Sequence, residues 1–225
     1  EKGNGAIVND VKIFNVDING GSNLGIVAGR SYSNTEITYV DVSGYVEPWS
    51  ADNVGGIVGY VYNYDEFATY VSNCSADVNL NGASADSYVG GIVGYATKDT
   101  TDAVVYIRYN HSTGTISGGD YTGGIIGEAK GLGAIKYCYT NCTVDTTGNN
   151  VGGVVGMLDG TDADHCCSLG SVEGSTYNNI GGYLGKGSGA ITDPAYSLAD
   201  VDGENEVGGF VGYSEEHPAY RCYSA

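Results

Sequence analysis

Basic residues are scarce in this chain. Nine Lys and Arg stand against 27 Asp and Glu in 225 residues, a formal net charge of −18. Phosphate backbones are held by clustered Lys and Arg, so nucleic acid is not an expected partner. Proline is scarcer still, with 3 residues beside 38 glycines, which excludes collagen, a fold that needs abundant proline and glycine at every third position. Long apolar runs are missing too. The longest are a few residues, far short of the ~20 needed to cross a bilayer, so no membrane span is expected in this chain. Helical periodicity and capping boxes are also lacking. What remains is 41% hydrophobic, too much for a disordered acidic tail.

Glycine is not scattered. Seven segments align without gaps: Asn23 to Gly29, Asn53 to Gly59, Tyr88 to Gly94, Tyr121 to Gly127, Asn150 to Gly156, Asn179 to Gly185 and Glu206 to Gly212. Four of them read x-x-Gly-Gly-(Ile or Val)-(Ile or Val)-Gly, and two more differ only in the apolar pair. Their first glycines are Gly25, Gly55, Gly90, Gly123, Gly152, Gly181 and Gly208, at intervals of 30, 35, 33, 29, 29 and 27 residues. Every copy but the first has a second glycine: Gly56, Gly91, Gly124, Gly153, Gly182 and Gly209. A period of 20–50 residues marks a solenoid, propeller or array.

A second element keeps the same beat. Cys74 to Leu80, Asn110 to Ile116, Cys138 to Val144, Cys166 to Val172 and Ala195 to Val201 share one frame, Val40 to Val46 fits it, and Cys222 begins another copy. Odd columns hold small or apolar residues and even columns mostly polar or aromatic ones. Such alternation is a strand with one face buried. About 30 residues per repeat is short for a four-stranded propeller blade and comfortable for one coil of a β-helix. The expected fold is therefore all-β, a parallel β-helix (β-solenoid) of about seven coils, filling residues 1–225 as one domain. The Gly-Gly-Ile-Val-Gly segment is apolar on both parities, so its facing is ambiguous. Close backbone approach is favoured there over a positive-φ corner.

These residues resemble the GLUG-repeat family, whose Gly-Gly-Leu-Val-Gly motif is followed by a Cys-Tyr-Ser/Ala-Thr-Gly-x-Val strand. Cys138-Tyr139-Thr140 and Cys166 to Val172 approximate that strand, and Ile or Val replaces the signature Leu. The family is similar to parts of bacterial adhesin-like surface proteins and to non-catalytic regions of immunoglobulin A proteases. The resemblance implies a right-handed β-helix on an exported protein and carries no catalytic residues.

Motifs for chemistry are not found. His111, His165 and His217 form no His-Glu-x-x-His pair, and no Gly-x-Ser-x-Gly elbow occurs. Asp159, Asp162 and Asp164 cluster in one loop, and Asp200, Asp202, Glu204 and Glu206 in another. They match neither an EF-hand nor a calcium β-roll and read as solvated turns. No catalytic residue, metal or cofactor is expected. The competing expectation is a carbohydrate-active β-helix enzyme, a lyase or glycoside hydrolase, working through loop carboxylates. Against a lyase, the nine basic residues are scattered singly.

Twenty tyrosines are the most unusual feature left. In the strand frame, column two should point outward and stack His111, Tyr139, Cys167, Tyr196 and Tyr223, a candidate contact row for a host glycan or protein. Rings packing only on one another is the competing expectation. Cys74, Cys138, Cys166 and Cys222 should point inward in one column, shared with Asn110 and Ala195, as free thiols. The whole reads as a non-enzymatic extracellular or bacterial cell-surface module, adhesin or stalk, within a longer chain carrying further repeats or domains. Ala6 to Ile18 resembles a diverged strand half in which Lys12 is out of character.

Overall fold

The computed structural model describes residues 5–50, 52–82, 87–99, 101–188, 191–192, 194–215, 219 and 221–225. Among these every regular element is a strand and the strands pair in parallel. One coil shows the plan. Thr69–Ser72 makes its first side, Ser75–Asn81 its second, Tyr88–Gly90 its third and Val93–Lys98 its fourth. Val105–Arg108 then begins the next coil in register over Thr69–Ser72. The first three sides belong to one 18-stranded sheet that bends around corners; the fourth sides form a separate sheet of seven strands, one per coil.

The second side alternates as its sequence does. In Tyr139–Thr146 every other residue is buried, and Leu80, Ile116, Val144 and Val172 fill the interior at successive levels. Lys12 falls on the outward parity, where its Nζ lies 3.0 Å from Asp41 Oδ2 on the next coil. One inward column departs from the buried face expected for it. Gly114 and Gly170 take φ of +103° and +98° and reach the surface, while Val78 and Cys142 in the same column are buried. Glycine tolerates that backbone without a steric penalty.

A left-handed corner joins the first side to the second. Tyr39, Asn73, Tyr109, Tyr137 and His165 occupy it with φ between 52° and 57°. Asn and His accept this conformation with modest cost, but tyrosine does not favour it. Ring stacking offsets the cost, with Tyr109 and Tyr137 parallel at 4.9 Å and His165 4.7 Å beyond. The cysteine column follows this corner and satisfies its carbonyls. Cys74 Sγ donates to Ser72 O (3.3 Å) and Ile37 O (3.6 Å), and Cys138 Sγ to Lys136 O (3.4 Å) and Ile107 O (3.7 Å). Asn110 does the same work with an amide, Nδ2 donating to Val71 O at 2.8 Å while Oδ1 accepts from Cys74 N at 3.0 Å. All six cysteines are free thiols. Cys74, Cys138 and Cys166 are buried, whereas Cys222, on the last coil, is only half-buried.

The glycine motif makes the corner from third side to fourth. Gly55, Gly90, Gly123, Gly152, Gly181 and Gly208 follow one another in register, and Gly25 adjoins the bridge from Leu24 to Val54. No motif glycine has a positive φ; the constraint is backbone proximity. A Cβ on Gly94 would lie 2.6 Å from both Gly59 O and Val54 N. One on Gly124 would collide with Gly153 O and sit 3.0 Å from Thr140 Cβ. The sharp turn also resolves the two-parity ambiguity, because Ile57 and Val58 both end in the core.

Two outcomes follow. Gly124→Ala should destabilise the fold by about 1–3 kcal/mol through overpacking, read from denaturant melts. Thiol titration in denaturant without reductant should find six reactive cysteines, while Cys74 and Cys142, whose pKa burial pushes up to about 11, stay unreactive in the native protein at neutral pH. Fewer than six would contradict the free-thiol column.

Candidate binding surface

The expected row on the second side exists as a row. His111 pairs with Tyr139, Tyr139 with Cys167, Cys167 with Tyr196 and Tyr196 with Tyr223. His111 and Tyr139 stack at 3.9 Å and Tyr196 and Tyr223 at 5.2 Å, with interplanar angles of 15° and 7°. Half-buried Cys167 interrupts the rings. Burial is the main cause that raises its pKa, and its bond to Tyr196 pulls the other way. Parallel stacking turns ring faces toward each other, so this row shows solvent mainly edges and polar tips. His111 is held below the usual imidazole range by burial, with Asp77 opposing.

A larger aromatic group lies on the outer face of the fourth side and the adjoining third-side strands. Tyr60 and Tyr95 stack at 5.3 Å, and Tyr88 stacks on Tyr95 and on Tyr121 at 4.9 Å each. Beside them Tyr32, Tyr62 and Tyr64 are mutually inclined by 51° to 73° at 5.9–6.4 Å. Tyr62 stacks on Tyr60 at 6.1 Å and 11°, whereas the inclined rings of Tyr32 and Tyr64 keep faces uncovered and are 46% and 52% exposed. The Arg30 guanidinium sits 5.6 Å from the Tyr60 ring centre. This group was readable. Extending the glycine alignment by one residue gives Arg30, Tyr60, Tyr95, Glu128, Met157, Lys186 and Tyr213, a single outward row in the structure.

Charge is divided between the sides. The second side carries Asp17, Asp41, Glu47, Asp77, Asp145, Glu173, Asp200 and Asp202 against Lys12 alone. The seven fourth-side strands carry Arg30, Lys98, Lys130 and Lys186 against Glu128 and Asp159, so 4 − 2 gives +2 on a chain of −18. Bases scattered in sequence are thus gathered by the coil period. They remain engaged: Lys130 Nζ is 3.1 Å from Asp159 Oδ2 and Lys186 Nζ 3.9 Å from Glu215 Oε1.

The acidic clusters do not converge on a ligand. Asp159 pairs with Lys130, and buried Asp164 with Lys136 at 2.8 Å; Asp162 is exposed. Asp200, Asp202, Glu204 and Glu206 run out along one exposed strand. Among the described residues no group of His, Cys, Asp and Glu has the arrangement to hold a metal. His217 lies outside the described residues.

Against known families, residues 50–81 match the GLUG motif. One coil of this solenoid is a GLUG repeat. It runs from the Asn53 to Gly59 motif through the fourth and first sides to the end of the second, and the neighbouring coils repeat its strand order in register. No curated protein and no solved structure matches the chain.

Glu128 gives a test of the fourth-side geometry. Burial raises its carboxyl above the ordinary glutamate range, with Lys130 and the Tyr88 hydroxyl opposing and Asp159 adding. A raised folded pKa means that the contribution to stability is present at low pH and lost as pH rises through it. Glu128→Gln should therefore stabilise the protein at neutral pH, with the gain shrinking as the pH falls toward the ordinary glutamate range. Melts of both proteins across that window check it.

Proposed function

We propose that this GLUG-repeat solenoid is a non-enzymatic binding or stalk module of a bacterial cell-surface or secreted protein, adhesin-like in use. The observation that carries the reading is the presence of stacked tyrosine rows with exposed members, Tyr109, Tyr137, Tyr139 and Tyr223, on a hydrogen-bonded solenoid. Tyrosine offers apolar area and a hydrogen bond together and loses little side-chain entropy on contact. An acidic surface with few lysines suits an exported chain, and thiols sealed in a core are shielded from oxidants outside the cell.

The second reading, a carbohydrate-active enzyme, draws on one observation. Glu128 has a raised carboxyl beside Asp159, and the register sets them diagonally on adjacent coils, Glu128 opposite Met157 and Lys130 opposite Asp159. Two carboxylates in unlike environments are the usual equipment of glycoside hydrolysis. Binding is favoured because Asp159 is engaged by Lys130 and Glu128 is 7% exposed.

Immobilised protein should retain host cells or extracellular matrix, and a reducing-end assay over neutral and acidic polysaccharides should detect no product. Product release that disappears in Glu128→Gln would replace the binding reading with the enzymatic one.

A further inference from the structure

We propose that the outer face of the fourth side is the binding face, and that its ligand is an uncharged, extended glycan chain lying along the solenoid axis. This rests on the reading of the protein as a binding module and departs from the second-side row that the strand frame singles out.

Charge selects the face. The second side bears eight carboxylates and one amine, so an approaching surface of like sign is repelled there, while the fourth side is close to balanced. Of its four cations, Lys130 and Lys186 are paired with Asp159 and Glu215, Arg30 lies over the Tyr60 ring and Lys98 donates to Thr101 O, so they form no open cluster to recruit a strongly anionic chain. Ring orientation selects it again. On the second side the rings cover one another's faces, whereas on the fourth side Tyr62 stacks on Tyr60 and the rings of Tyr32 and Tyr64, inclined to it and to each other, leave faces for the C–H surface of a sugar ring.

The ligand class follows from the chemistry of the row. Tyr60 and Tyr95 stand on successive coils with Tyr88 and Tyr121 alongside, so phenol hydroxyls recur at the coil rise of about 4.8 Å. A pyranose in an extended chain advances by nearly that length, so the coils of Tyr60 and Tyr95 each meet one sugar. A protein partner has no such repeat, and it would draw on apolar anchors seated in pockets. Met157 is the only aliphatic side chain in this outward row.

The test is a binding screen of the full chain against cello-, xylo-, manno- and chito-oligosaccharides, with hyaluronan and heparin oligosaccharides as anionic probes. Tyr62→Ala/Tyr64→Ala and the ring-keeping Tyr62→Phe/Tyr64→Phe are screened in parallel, with thermal melts showing that each variant is folded. The proposal expects a neutral oligosaccharide to bind with little salt dependence. The alanine pair should lose at least about tenfold in affinity, the scale of one aromatic contact, and the phenylalanine pair should lose less. Binding unchanged in the folded alanine pair would overturn the choice of face and leave the binding reading standing. Binding confined to the anionic probes, falling steeply with salt, would overturn the ligand class. Capture of host protein with no oligosaccharide bound would do the same, and failure to retain any glycan, cell or matrix would overturn both this proposal and the reading beneath it.

Discussion

Parallel stacking in register governs this molecule. Each residue lies about 4.8 Å above and below its counterparts in the neighbouring coils, so whatever one coil places at a position, the next must tolerate directly overhead. Glycines succeed because a side chain at Gly94 or Gly124 would occupy the backbone of the adjacent coil. Apolar side chains succeed because they bury each other, giving the continuous interior of Leu80, Ile116, Val144 and Val172. A single coil cannot bury its own inward row, and stability is a sum over neighbours.

Stacking also explains two choices that look odd residue by residue. Tyr109 and Tyr137 hold a backbone conformation that tyrosine disfavours, and the parallel rings offset it. The cysteine column has no disulfide to make. Its thiols donate to the carbonyls that the left-handed corner leaves inside, and Asn110 enters the column because an amide reaches the same acceptors. Ala195 lacks that donor, and its coil has one more residue between the counterparts of Asp164 and Cys166, as the pairings of Thr192 and Tyr196 show.

Most of the fold was legible because a solenoid writes its period into the chain. The glycine alignment alone located the coil boundaries, and alternation from Cys138 to Val144 told inside from outside. Legibility stopped where two parities were both apolar. Ile57 and Val58 are both buried because the chain turns at Ile57 into the fourth side that Val58 begins, and alternation carries no information about a corner. The surface was harder. Column two was turned outward, but sequence says nothing about ring inclination, which separates the stacked pair His111 and Tyr139 from the inclined Tyr32 and Tyr64. Nor do scattered Arg30, Lys98, Lys130 and Lys186 look like a group until the coil period collects them on one sheet.

The division of charge has a mechanical consequence. A rod whose carboxylates line one flank has a transverse electrical asymmetry, and a field acts on it as a torque about its long axis. Near any negatively charged boundary that torque rolls the acidic flank away and turns the tyrosine flank inward before contact. Orientation of this kind needs no contact residue and acts over about a Debye length, ~8 Å at physiological ionic strength. Near such a boundary the rod is held at one azimuth, and raising the salt would free its rotation about the long axis.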